Sequence, residues 1–192
     1  MKINRKKFYT EYRKVYGKLT QKQVDSIECI FNEIEASDIK DIRWVAYMFA
    51  TVYHETAATM LPIEEYGKGK NRPYGKRIKH SGVVYPSTYG IMYGRGYVQL
   101  TWFENYELMG RLLGVNLLKN PELALEPKIA AKIMVEGMTK GASSVGDFTG
   151  KCLEQFFTPT LENPKGARTI INGTDKAKEI ADIYYIFKTF LI

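Results

Sequence analysis

Cysteine and histidine are scarce: Cys29 and Cys152, His54 and His80, are all that 192 residues contain. Two cysteines cannot build a disulfide framework, and neither stands in a Cys-x-x-Cys pair that would hold zinc or carry electrons. Both read as plain buried thiols. His54-Glu55 opens like the zinc-protease pattern His-Glu-x-x-His, but Ala58 occupies the position one turn on where the second ligand must fall. With His80 as the other imidazole, neither a histidine-rich metal site nor a Ser-His-Asp arrangement can be assembled. No metal and no cofactor are expected, and His54 reads as structural.

Long apolar runs are missing too. No stretch approaches the roughly eighteen uninterrupted apolar residues of a membrane span, so no membrane insertion is expected. The start, Met1 to Phe8, has the basic opening of a secretory signal without the apolar core that must follow, so no signal peptide is expected. There is no alternation of strand and helix patterns. Gly94-Arg95-Gly96 lacks the third glycine and flanking strand of a dinucleotide fingerprint, which argues against a nucleotide-binding parallel sheet.

What is present is a chain 45% apolar, enough for one core and one domain over residues 1–192. Its formal charge is +7. Lys68, Lys70, Arg72, Lys76, Arg77 and Lys79 lie in a segment without acids, and Lys2, Arg5, Lys6 and Lys7 cluster at the start. Either these are a solvated loop and arm, or they gather an anionic partner such as nucleic acid, acidic lipid or acidic wall polymer. No recognised nucleic-acid motif accompanies the charge, and no nucleic-acid partner is expected.

Most of the patterned segments are helical. Thr20 and Gln23 form a capping box, Leu19 and Val24 a staple, and Val24, Ile27, Phe31 and Ile34 recur at helical spacing up to Glu35. A second helix, beginning near Ser37 or Asp38, is apolar around most of its circumference and belongs in the core. Glycines, prolines and tyrosines between Gly67 and Gly96 predict loops and a short hairpin around Val83-Val84-Tyr85. Helix resumes after Thr101 and after Pro127, over Leu153 to Phe157, and from Lys176 to Leu191.

The residues with most to say are acids. Glu55 closes the uncharged run from Trp44 to Tyr53 and His54, whereas Glu64, nine positions on, follows Pro62 into a wet, basic segment. Burial disfavours the charged form of a carboxyl group, the condition a general acid needs, while an exposed Glu at a helix end is the plainer reading. An unbroken helix would put Glu64 about 13.5 Å along the axis from Glu55 and on the opposite face. Pro62 allows the chain to fold back instead, with the two acids facing across a cleft. Further on, Gln99 and Thr101 alternate with Val98 and Leu100, so both polar groups leave one face of a short extended piece and can bind sugar groups or a water. Thr101 is equally well placed to cap the next helix.

His54-Glu55-Thr56, Gly94-Arg95-Gly96 with Gln99, Thr101 and Asn105-Tyr106, and Ile170-Ile171-Asn172-Gly173 resemble, in order and spacing, the signature of family 19 glycoside hydrolases. That family contains plant-type chitinases and bacteriophage endolysins. Gly114-Val115-Asn116-Leu117, Asn120-Pro121, Ala124-Leu125 and Asn172-Gly173-Thr174-Asp175 resemble the endolysin branch. The resemblance implies a mainly α, lysozyme-like two-lobed helical fold with a central substrate cleft, working by single displacement with inversion and without metal. By the same resemblance Glu55 is the general acid, Glu64 the base that activates water, with Glu65 as the fallback, and Thr101 the hydroxyl that holds the attacking water. Gln99, Asn105 and Asn172 match sugar-binding or water-orienting positions, and Thr56 sits beside the acid as a substrate contact. The chain departs from the chitinase branch at Tyr97, where proline is common. A late arginine that supports the acids there has no counterpart from Ile180 to Ile192, which leaves Arg95 and Arg168 as candidates.

The expected function is that of a peptidoglycan-degrading endolysin of lysozyme type, a monomer held in the host cytoplasm until it reaches the cell wall. It would cut β-1,4 bonds between N-acetylmuramic acid and N-acetylglucosamine. The alternatives are a chitinase acting on N-acetylglucosamine polymer and a non-catalytic glycan-binding or phage structural module.

Overall fold

A computed structural model describes residues 1–139 and 148–192, and within them the chain is mainly helical. The central element is a helix over Ile42–Glu55, here α3, with every residue from Val45 to Val52 buried. Asp41 starts it, not Ser37 or Asp38, because the Asp41 carboxylate accepts from the Arg43 amide and grips the Arg43 guanidinium as well. Two more helices precede it, α1 over Arg5–Tyr16 and α2 over Gln21–Ala36. The Thr20–Gln23 capping box stands as expected at the start of α2.

α1 corrects the expectation of a solvated N-terminal arm. Asn4 caps it, Phe8 and Tyr12 bury one side, and Arg5 pairs with Glu28 and Glu35 of α2. The aromatic rings of Phe8, Phe31 and Phe49 close a three-way contact with centroids 4.8 to 5.0 Å apart. Phe187 joins it from a last helix over Ala177–Leu191. Ring contacts in this range add about 0.5–1.5 kcal/mol each beyond the burial itself.

The remaining elements build the site. Strand β1, Ile63–Glu64, pairs antiparallel with β2, Arg95–Gly96, and α4 covers Phe103–Leu113. α5, Pro127–Met138, packs on α2, α3 and α4. A 3-10 turn at Leu153–Gln155 leads into a small antiparallel pair, β3 (Phe157–Thr158) with β4 (Leu161–Glu162). The short α6, Pro164–Ala167, runs into a 3-10 turn at Arg168–Ile170, and α7 is the final helix, which lies along α3 and α1. The hairpin expected at Val83-Val84-Tyr85 reduces to a single bridge between Ile78 and Val84. No helix among the described residues is long and apolar enough to cross a membrane.

Tyr97, where the chitinase branch commonly has proline, is wholly buried, and its hydroxyl meets Ser26 of α2 at 2.6 Å. Ser26 in turn donates to the Met60 carbonyl. This chain of bonds fastens the β2 turn and the segment after α3 to the same helix. The two sides of the cleft therefore share one anchor.

Candidate active site

A cleft of about 1010 Å³ opens between the end of α3 and the segment after α6 on one side, and the β1–β2 pair with the start of α4 on the other. Glu55, Glu65, Gln99, Thr101, Asn105 and Asn172 all line it. Tyr74, His80 and Trp102 add an aromatic wall, with the Trp102 ring 4.8 Å from His80 and 5.7 Å from Tyr74.

Glu55 is the last residue of α3, and its side chain is 14% exposed. The helix ends there because the backbone turns left-handed at once, at Ala57, Ala58 and Met60, well before Pro62. Non-glycine residues in that conformation are uncommon, and such strain collects at functional sites. Thr56 holds the turn. Its hydroxyl donates to the Val52 carbonyl at 2.7 Å and accepts from the Met60 amide at 3.1 Å. Thr56 is therefore fully buried and absent from the cleft, which corrects its expected role as a substrate contact. It shapes the helix end that presents Glu55.

Arg168 is the cation beside the acid. Its guanidinium Nη1 donates to Glu55 Oε1 and its Nε to the Asp175 carbonyl at 2.9 Å. At 3% exposure it is one of two buried arginines among the described residues. The other, Arg95, serves a different group. It stacks 3.7 Å from the Tyr93 ring centroid and donates to the Tyr106 hydroxyl and to the Ile91 and Tyr93 carbonyls. His54, as expected, is structural, with Nδ1 3.3 Å from Glu179 at the start of α7.

Of the neighbouring acids it is Glu65, not Glu64, that lines the cleft; a third carboxylate there, Glu104, accepts from the His80 amide at 2.9 Å. Successive side chains of a strand leave opposite faces, and β1 pairs Glu64 with Arg95, so Glu64 points away from the side that Glu65 faces. Glu64 accepts from the Tyr93 hydroxyl at 2.7 Å and pairs with Lys68, which together hold its carboxyl below the usual range. Glu64, expected to face Glu55 across the cleft, does not line it; Glu65, the fallback, does. Glu65 accepts from the Tyr74 hydroxyl at 3.1 Å and from the Gly94 amide at 3.3 Å. Two donors addressing one carboxylate favour it as an acceptor. Gly94 is needed at this crossing, since an added Cβ would stand 2.7 Å from Gln99 Oε1 and 3.4 Å from Glu65 Cβ.

The stretch around Gln99 is a tight turn and not the extended piece expected. Arg95 and Leu100 exchange both backbone hydrogen bonds, and Gln99 is left-handed at φ 53°. Gln99 still faces the cleft, with its amide nitrogen held by the Ile63 and Gly96 carbonyls. Thr101 is not the cap of α4, because Trp102 occupies that position at φ 71°. Its hydroxyl stays in the cleft, with no hydrogen bond to any described residue. Asn105 reaches the cleft from the first turn of α4, and Asn172 from beyond the turn that carries Arg168. No group of three or more metal-ligating side chains occurs among the described residues.

Chitinases are among the known proteins similar to this chain. The family model described as chitinase class I, of glycoside hydrolase family 19, matches residues 31–141. An endochitinase of Arabidopsis thaliana is 43% identical over 82 residues, 42% of this chain and 29% of that protein. Endochitinase 1 of Theobroma cacao is 52% identical over 50 residues, 25% of this chain and 16% of that protein. The matched stretch thus spans less than a third of the length of these curated relatives. Among solved structures, chitinase C from Streptomyces griseus superposes with a TM-score of 0.60 at 20% identity, covering 95% of this chain and 75% of that one. A class IV chitinase from Zea mays gives a TM-score of 0.59 at 20% identity over 95% of this chain and 88% of its own. At that identity the structures speak for the fold, and the family model covers more than half of the chain: it belongs to glycoside hydrolase family 19.

Proposed function

We propose that the chain hydrolyses β-1,4 bonds of a polymer of N-acetylated hexosamines by an inverting, two-carboxylate mechanism, and that the polymer is bacterial peptidoglycan. The observation that carries the mechanism is that Glu55 and Glu65 line one cleft from different walls and with different partners, Arg168 for the one and Tyr74 with the Gly94 amide for the other. Glu55 is nearly closed off from water and gripped by Arg168 through one oxygen, so the other oxygen is free to deliver a proton to the leaving glycosidic oxygen. Arg168 then stabilises the carboxylate left behind.

Glu65 acts from the other wall. Held as an acceptor by Tyr74 and the Gly94 amide, it takes a proton from a water that attacks the anomeric carbon on the face opposite the leaving group. Inversion places such acids roughly 6.5–9.5 Å apart, enough for that water. The Thr101 hydroxyl, which has no hydrogen-bond partner among the described residues, orients it, while Gln99, Asn105 and Asn172 bind the sugar's polar groups.

The choice of peptidoglycan rests on the endolysin-like motifs and on the +7 charge, which suits an anionic wall. The second reading is a chitinase, favoured by the endochitinase relatives. Incubation with purified peptidoglycan and with chitin, followed by mass spectrometry of the products, decides between them. Muropeptides ending in reducing N-acetylmuramic acid support the reading, and products from chitin alone reject it.

A further inference from the structure

A second pocket, about 450 Å³, lies within the basic loop between Glu65 and His80. It is lined by Lys70, Arg72 and Lys76 together with uncharged residues between Gly69 and Ile78, and by no acid. Each of the three cations is exposed, and none has a carboxylate at ion-pair distance among the described residues. Their basic neighbours differ: Lys68 is paired with Glu64, and Lys79 sits 4.4 Å from the centre of the Phe103 ring.

Backbone contacts fix the course of the loop that carries these cations. Gly69 and Gly75 cross so closely that a Cβ on Gly75 would fall 1.8 Å from the Gly69 carbonyl oxygen. Successive turns bind Lys68 to Glu65, Lys70 to Gly67 and Arg72 to Gly69 through the backbone. The same loop is a wall of the catalytic cleft. Tyr74, two residues from both Arg72 and Lys76, lines the cleft and donates to Glu65. Two residues of chain span at most about 7 Å, so the pocket is within reach of a substituent on a sugar bound beside Glu65.

We infer that Lys70, Arg72 and Lys76 form a subsite for the carboxylates of the stem peptides pendant on the glycan strand. Chitin carries no such charge, so this subsite is where the two candidate polymers differ in chemistry. The assignment rests on the peptidoglycan reading above and names the feature of that substrate which this site would recognise.

The test uses the Glu55→Gln protein as a binder that does not consume its ligand, with and without Lys70→Ser, Arg72→Ser and Lys76→Ser. Binding is measured to whole sacculi, to sacculi stripped of phosphodiester polymers with acid, and to glycan strands freed of peptide by an amidase. The triple substitution should weaken binding to sacculi about tenfold at low salt, the combined effect of three exposed charge contacts. That difference should disappear on amidase-treated strands and at high salt. Equal binding by both proteins to sacculi, or loss on phosphodiester stripping alone, overturns the subsite. With Glu55 intact, muropeptide release that the triple substitution leaves unchanged overturns only the subsite. Release from chitin and none from peptidoglycan overturns the substrate reading and the subsite with it.

Discussion

Arg168 holds Glu55 from 113 positions further along the chain, joining the turn after α6 to the end of α3, where Glu55 lines the cleft. Both side chains are nearly closed off from solvent, at 4% and 14% exposure. Removing one member of such a pair strands the other.

Arg168→Ala is therefore expected to lower stability by about 1–3 kcal/mol, because it takes the hydrogen-bond partner away from a largely enclosed Glu55. Arg168→Lys should recover only part of this, since a single ammonium cannot serve both Glu55 and the Asp175 carbonyl in the planar geometry of a guanidinium. Urea unfolding of the two variants checks the order. A stability equal to wild type in Arg168→Ala would contradict the pairing.

Neighbouring acids should behave unlike one another. Glu65→Gln is expected to reduce turnover by about 10²–10⁴-fold, the ordinary contribution of a general base. Glu64→Gln should stay within a few-fold of wild type, because Glu64 faces Tyr93 and Lys68 outside the cleft. Initial rates on a soluble polymer compare them, and the reverse order would return the base to Glu64.

Acid should loosen the tie between β4 and α7. Burial alone would raise the Glu162 carboxyl, but hydrogen bonds from Lys188 and Tyr184 outweigh it and hold the group below its ordinary 4.5. A carboxyl depressed on folding contributes stability above its unfolded value and loses it as the pH falls through the folded one. Lys188→Met is thus expected to cost about 1 kcal/mol near neutrality, and the gap from wild type should close below pH 4.5. Thermal unfolding across that range measures the gap, and a gap independent of pH would contradict the linkage.

Crowding at the loop crossing gives another outcome. Gly75→Ala should cost about 1–3 kcal/mol and reduce activity, because the new methyl would displace Gly69 and with it the wall that carries Tyr74. Melting temperature and rate should fall together. An unchanged rate would uncouple the loop from the cleft.

What could be read in advance follows from how local each signal is. The capping box at Thr20 and the apolar run of α3 are written in adjacent residues, and both stand in the structure. α1 escaped because only Phe8 and Tyr12 are buried among strongly basic neighbours, and its support comes from Glu28 and Glu35 on another helix. The two acids were visible, but choosing Glu65 over Glu64 needs the register of a two-residue strand against Arg95. Thr56 stands next to Glu55 in sequence, but its hydroxyl is spent on the turn behind Glu55 and does not touch the cleft. Arg168 and Arg95 were equal candidates, since nothing in a 3-10 turn announces which distant carboxylate it will meet.

In the proposed mechanism Glu55 at the end of α3 and Glu65 just after β1 work on opposite faces of one sugar. Proton NMR of the first products, recorded before the reducing end equilibrates, reads this out directly. The α-anomer is expected from a β-linked substrate, at rates at least about a hundredfold lower in Glu55→Gln and in Glu65→Gln. Release of the β-anomer, or α-anomer release undiminished by either substitution, would contradict it.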